Sequence, residues 1–228
     1  MCGRYTVTSP LDQILGLFAL KAAPDLGPRY NVAPTQNALV VRRAADAERE
    51  AVALRWGLIP HWADDPAIGS RLINARSETV HTKPSFRDAF ARRRCLVAAD
   101  GFIEWKKEQG GKQPYHIVME DRAPFAFAGI WERWKPADGG ELIESFSILT
   151  TTPNETVEPL HDRMPVIVAE HDFELWLDSR AGRDAVEPIL APFDGRPMIA
   201  FPVSREINSA ANDGPEVLKR VAEQASLF

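Results

Sequence analysis

The sequence predicts an α+β fold, a single domain of mostly antiparallel sheets with flanking helices. Three observations carry that prediction. Apolar, β-rich runs dominate the middle of the 228-residue chain. Paired glycines, Gly110-Gly111 and Gly139-Gly140, separate some of these runs as hairpin turns do. Helical patterns fall mainly toward the two ends, without the strand–helix alternation of a parallel sheet.

The elements follow in order. "SPLDQILGLFAL" reads as a helix, with Ser9 available to cap, Pro10 in the first turn, and Leu11, Ile14, Leu15 and Phe18 on one face. "GPRYNVAPTQ" has two prolines and no period, which predicts a structured loop. "ALVVRR", "EAVALRWGLIP", "CLVAADGFIEWKKE", "QPYHIVME", "FAFAGIWERW" and "SFSILTTTP" are the β-rich runs. "SFRDAFARRR" reads as a helix capped by Ser85. "HDFELWLD" and "GRDAVEPIL" read as short helices, "MIAFPVSREIN" as a strand, and "PEVLKRVAEQ" as a closing helix from Pro215. No linker divides the chain, so residues 1–228 are expected to form one domain, its core about 2–210, with the C-terminal helix and tail at 215–228.

Composition narrows the class. The chain is 45% apolar and 26% charged, as in soluble globular proteins. No run approaches the roughly 20 apolar residues of a membrane span, and no secretory leader opens the chain, so a cytoplasmic protein is expected. Cys2 and Cys95 are too few for a disulfide framework, and Cys95 reads as a small buried hydrophobe. No Cys/His spacing suits a structural metal, and no glycine-rich phosphate loop is present, so no cofactor is expected. The net charge is −5, yet residues 71–112 hold ten Lys/Arg against five acids, leaving the remainder at −10. That asymmetry fits an anionic ligand held on one face, and equally a solvated helix face around "ARRR".

A few residues carry candidate chemistry. Cys2 follows the initiator methionine in "MCGRY". Removal of Met1 leaves an α-amine beside a thiol. The α-amine, with a reference pKa of about 8, is partly neutral at pH 7 and can form a Schiff base with an aldehyde. The thiol on the adjacent carbon can then close a five-membered thiazolidine. The same pair could instead serve an N-terminal-nucleophile hydrolase, and Cys2 alone also fits an unremarkable terminal residue. "LINARSE" places Asn74 and Arg76 at alternate positions, on one side if extended. Asn74 can donate and accept, and Arg76 can grip a phosphate. Glu104, flanked by Ile103 and Trp105, is either an outward strand residue or a general acid with a raised pKa. His161 in "PLHDRMPVIV" suits proton transfer, or is a plain loop residue.

Seven segments, "MCGRY", "YNVAPTQ", "RWGLIPHWA", "NARSET", "GFIEWKK", "SILTTTPN" and "HDRMPVI", occur in this order. Together they resemble the SOS-response-associated peptidase family, also called abasic-site processing proteins, over residues 2 to about 210. The resemblance implies a compact domain with curved sheets around a positively charged groove, without a metal or organic cofactor. It implies covalent capture of abasic sites in single-stranded DNA by Cys2 as a thiazolidine, shielding the lesion, with strand cleavage and self-removal of Met1 as further activities. Cys2, Asn74, Glu104 and His161 are the implied catalytic set. Glu104 would protonate the sugar ring oxygen, Asn74 would position the sugar and the amine, and His161 would move protons. Arg4, Arg76 and Arg163 are implied at phosphates, and Pro34, Trp62, Trp105 and Met164 at bases near the lesion. The expected protein is a cytoplasmic monomer that associates with the nucleoid during repair. The alternative is a cysteine peptidase or amidase acting on protein substrates. Separately, Gln224-Ala225-Ser226-Leu227-Phe228 resembles the Q-x-[SD]-L-F peptide by which bacterial proteins bind the replication sliding clamp.

Overall fold

The computed structural model describes residues 2–45, 47–108 and 111–222. Strand β1 (Arg4–Val7) leads into helix α1 (Leu11–Phe18). β2 (Arg29–Val32), β3 (Asn37–Arg43) and β4 (Arg49–Trp56) follow. After a 3-10 turn at Pro66–Arg71 come the short β5 (Asn74–Arg76) and helix α2 (Arg87–Arg92). β6 (Arg94–Ala99), β7 (Gly101–Glu108), β8 (Gly111–Met119), β9 (Phe125–Trp134) and β10 (Ile143–Thr151) form the strand-rich middle. β11 (Met164–Pro165), β12 (Ile167–Val168), helices α3 (Phe173–Leu177) and α4 (Arg183–Val186), and β13 (Met198–Pro202) complete the set.

Two sheets share these strands. The first runs β13-β8-β7-β1-β2 and is antiparallel throughout. In the second, β4 pairs β3, β3 pairs β6, β6 pairs β9, β9 pairs β10, and β10 returns to β4. The pairings therefore close a ring, which leaves these five strands with few free edges. β10 is parallel to β4 and to β5, so the antiparallel expectation holds for the rest and not for these two pairs. One apolar cluster gathers Cys2, Tyr5, Trp56, Phe102, Phe127 and Phe146 from both sheets. Another packs Ile14 and Phe18 of α1, Phe90 of α2 and Phe173 and Trp176 of α3 on the second sheet. Cys95 lies in the first of these clusters, where burial pushes its thiol up, as expected of a core cysteine.

The run "CLVAADGFIEWKKE" is two strands, because the chain changes sheet at Asp100. That buried carboxylate accepts from Thr6 Oγ1 (2.5 Å), Thr8 N (2.5 Å), Thr8 Oγ1 (2.8 Å), Ser9 N (2.6 Å) and Ser9 Oγ (3.0 Å). It thus pins the end of β1 to the corner between β6 and β7. A side chain at the neighbouring Gly101 would put its Cβ 2.1 Å from His116 Nε2, so only glycine lets β1 and β8 approach here. Burial pushes His116 down to about 4, leaving it neutral. Gly57 ends β4 at φ +120°, with its missing Cβ 2.6 Å from Gly69 O, and so brings the 3-10 turn against the strand.

Several expectations are corrected. Ser9 serves Asp100 and does not cap α1, and α2 starts after Phe86 without a side-chain cap, so Ser85 has no capping role. Arg29–Val32 of the proline-rich loop is a strand. "MIAFPVSREIN" is extended only to Pro202, because Ser204 Oγ accepts from Glu206 N and starts a 3-10 turn at Arg205–Asn208. Among the described residues, the closing helix is a single 3-10 turn, Pro215–Leu218. Backbone pairing of Arg220 with Val203 holds the following residues extended and overrides their helical pattern. Gln224–Phe228 lies outside the described residues.

Asp100→Ala leaves several buried donors without an acceptor. Its urea unfolding free energy is expected to drop by about 3–5 kcal/mol; a loss under about 1 kcal/mol would show that the corner does not depend on this carboxylate.

Candidate active site

β1 is an inner strand, with β2 on one side and β7 on the other. It runs antiparallel to β7, Arg4 opposite Ile103 and Tyr5 opposite Phe102, which carries the chain start alongside Glu104 and Trp105. Cys2 is completely buried, and its thiol lies 3.4 Å from Arg4 O. Burial, reinforced by the negative charge of Glu104, pushes that thiol well above the ordinary cysteine range. At neutral pH it is a neutral S–H.

β5 approaches from the other sheet. Its parallel pairing on β10 sets Asn74 opposite Ile148 and Arg76 opposite Thr150. The segment is extended as expected, with Ala75 buried between the two polar residues. Asn74 Nδ2 donates to Cys2 O at 2.8 Å, a direct tie between the sheets. Asn74 Oδ1 is buried without a protein hydrogen-bond partner.

Glu104 is 1% exposed, and its Oε1 is also buried without a hydrogen-bond partner. The inward reading of Glu104 is therefore the correct one. Burial raises its carboxyl to about 7, so near neutrality it can hold a proton or release one. His161 precedes β11, and its Nδ1 accepts from Arg163 N at 3.0 Å. Burial lowers its pKa and keeps it mostly neutral at pH 7. Glu104, Trp105, Lys112 and His161 line one cavity of about 270 Å³. It adjoins a groove of about 640 Å³ along Trp105, Lys106, Lys107, Pro159 and Asp162. A separate cavity of about 220 Å³ beside α1, lined mostly by apolar residues with Thr8, Ser9, Asp25 and Arg29 among them, contains none of the predicted site residues.

Other predicted residues go elsewhere. Arg4 is a structural clamp: its guanidinium donates to Asn31 Oδ1 (2.9 Å), Ile207 O (2.7 Å) and Asn208 O (3.2 Å). Trp105 Nε1 grips the same turn through Asn208 Oδ1 at 2.8 Å. Arg163 is held by both oxygens of Glu78 (2.5 and 2.9 Å) and by Thr150 O (2.6 Å). Met164 is fully buried with its sulfur 3.3 Å from Asn154 N, so it packs the core under the site and offers no stacking surface. Arg76 is exposed and its guanidinium makes no hydrogen bond among the described residues. Trp62 is half exposed, and Pro34 is half-buried in the turn after β2. Neither lines the cavity of Glu104 and His161.

The basic window does not form one exposed face. Arg94 is buried, donating to Trp176 O, Phe90 O, Ala181 O and Asp178 O, and Arg93 pairs with Glu132. Arg71, Arg76, Lys83, Arg87, Arg92, Lys107 and Lys112 remain exposed. Sequence reasoning missed Lys112 and Asp162 as site residues. Asp162 had one available signal, its position next to His161.

The fold and site define a protein whose candidate active site is assembled around its second residue. The chain belongs to the SOS response associated peptidase (SRAP) family, whose model matches residues 1–210. It is 41% identical to the abasic site processing protein YoqW of Bacillus subtilis, over 96% of this chain and 99% of that one. It is 32% identical to the abasic site processing protein YedK of Escherichia coli, over 97% and 100% of the two chains. A crystal structure of a Bacteroides thetaiotaomicron protein superposes with a TM-score of 0.87 at 28% identity, covering 97% of this chain and all of that one. Among the described residues no helix could cross a membrane, and no cluster of His, Cys, Asp or Glu suits a metal ion.

The folded pKa of Glu104 lies above the unfolded value of about 4.3. The unfolded state therefore releases the proton first, and stability is lost as pH rises from about 4.3 through 7. Glu104→Gln is expected to raise stability at pH 8 by about 2 kcal/mol and to change it little at pH 4, read by denaturant melts. An equal effect at both pH values would contradict the buried, charge-averse setting.

Proposed function

We propose that this protein captures abasic sites in single-stranded DNA covalently, through the α-amine and thiol of Cys2 once Met1 is removed. One observation supports this reading above others. A buried carboxyl titrating near 7 faces a buried, protonated cysteine at the chain start. Glu104 in its acid form protonates the ring oxygen of the abasic sugar and favours the open aldehyde. The α-amine adds to that aldehyde, and loss of water gives the Schiff base. The thiol then adds to the imine carbon, passes its proton away, and closes the thiazolidine. Asn74 holds the Cys2 carbonyl and offers its free oxygen to the amine or the sugar. Arg76 is free to meet a phosphate.

The raised thiol pKa favours this route over the cysteine peptidase alternative. A peptidase needs a thiolate for its first attack. In the proposed order the amine attacks first, and the thiol meets an electrophile already formed in place. The same site supports strand cleavage by β-elimination from the Schiff base, and self-removal of Met1, as further activities of the family reading. The relatives' names accord with abasic-site processing. A cytoplasmic setting with nucleoid association during repair follows from that role.

Intact mass spectrometry after mixing with an abasic single-stranded oligonucleotide tests the proposal. One adduct is expected, with Met1 absent and one water lost. Cys2→Ala should give no heat-stable adduct, and Glu104→Gln should slow adduct formation by about 10²-fold or more while leaving binding to intact strands within a few-fold. A heat-stable adduct on the Cys2→Ala protein would overturn the assignment. The C-terminal Gln224–Phe228 is proposed as a sliding-clamp peptide. Deleting residues 224–228 should abolish binding to purified clamp, and unchanged binding would refute it.

A further inference from the structure

Asp162 stands beside the catalytic set and has no role in the scheme above. Its Oδ1 lies 2.9 Å from His161 Nδ1. The same nitrogen accepts from the backbone N–H of Arg163 at 3.0 Å. A ring nitrogen has one in-plane site, which holds either a lone pair or a hydrogen. With a lone pair, Nδ1 accepts from Arg163 N–H and faces the carboxylate unfavourably. With a hydrogen, it donates to Asp162 and must release Arg163 N–H. The two neighbours therefore select opposite states of one histidine.

The Arg163 contact favours the neutral tautomer with its proton on Nε2. The Asp162 contact favours either the imidazolium or the neutral tautomer with its proton on Nδ1. We propose that Asp162 is a positioning residue that competes with the Arg163 main chain for Nδ1 and so makes Nε2 of His161 alternately a proton donor and a proton acceptor. The inference rests on the capture chemistry proposed above. In that chemistry the carbinolamine must lose its hydroxyl, and the thiol must lose its proton. The imidazolium, held by Asp162, gives its Nε2 proton to the departing hydroxyl. Water leaves and the iminium forms. His161 is then neutral with its hydrogen still on Nδ1, and its Nε2 lone pair takes the thiol proton as sulfur bonds to carbon. The C=N electron pair returns to nitrogen, and the imidazolium is restored. Atoms and charge balance over the two steps, with one water released.

The neighbouring charges act on the same ring. Burial disfavours the imidazolium most, followed by the positive charge of the chain's N-terminus and that of Lys112 of β8, whereas Asp162 favours it. Glu104 of β7 and Lys112 share the cavity with His161, and Glu158, Lys106 and Lys107 line the adjoining groove. Asp162 also raises the Glu104 carboxyl, so it influences both proton carriers. Its side chain is 88% exposed, which limits the effect to that of a surface ion pair.

The test uses full-length protein labelled with ¹⁵N in histidine, with the His161 signals assigned by loss in His161→Gln. Ring nitrogen shifts are followed from about pH 4 to 9, across the histidine range. Asp162→Asn should shift His161 toward the Nε2–H tautomer and lower its midpoint by about half a unit, a roughly threefold change in proton affinity. The acid limb of the adduct-formation rate should move the same way, and Asp162→Glu should restore both. An unchanged tautomer ratio and midpoint in Asp162→Asn would overturn the role of Asp162. Absence of any adduct in the wild-type protein would instead overturn the capture chemistry, and the ring spectra would still decide the Asp162–Nδ1 contact.

Discussion

Everything in this molecule depends on burying the chain's first strand. A terminal segment usually sits at an edge or in solvent, where fraying costs little. Here residues 4–7 form an inner strand between β2 and β7, and Cys2 and Tyr5 sit in the apolar core shared by the two sheets. The Asp100 carboxylate holds the far end of that strand through five hydrogen bonds. Arg4 and Trp105 hold the near end through the turn at Asn208. A segment placed this way, which the proposed function makes the reactive one, loses its conformational freedom during folding, before any substrate arrives.

The same burial explains the electrostatics of the site. Glu104 and Cys2 lie where charge is poorly solvated, and the Glu104 carboxylate raises the Cys2 thiol further. Asn74 Oδ1 and Glu104 Oε1 are buried without hydrogen-bond partners, a costly arrangement that a well-packed core avoids. Such groups are expected where a substrate supplies what the protein withholds. Buried Tyr5 Oη, Ser147 Oγ and Thr150 Oγ1 also lack partners. Arg94 and Asp100, by contrast, are each held by several partners.

Much of the fold was legible because hydrophobic pattern and turn residues act locally. The β-rich runs became strands, and the helices Leu11–Phe18, Arg87–Arg92, Phe173–Leu177 and Arg183–Val186 lie within the stretches whose pattern is helical. Errors arose where long-range contacts overrode local preference. Ser9 suited a helix cap, but Asp100 claimed it from 91 residues away. The closing helix gave way to the pairing of Val203 with Arg220. The parallel pairs of β10 with β4 and β5 also had no local sign, since parallel neighbours are distant in sequence.

The candidate site divides the same way. The residue types and motif order determined the chemistry on offer: an amine and thiol on adjacent atoms, a carboxylate among apolar neighbours, a histidine and an amide. These are properties of covalent structure and composition, and they need no fold. Only the tertiary structure decided which were brought together. It joined Asn74 to Cys2, turned Glu104 inward, and set Asp162 against His161. It also withdrew Met164 into the core and committed Arg4 and Arg163 to internal partners. The reason is physical. Burial and hydrogen-bond competition depend on every segment packed around a side chain, and the residues beside it in the sequence supply few of them.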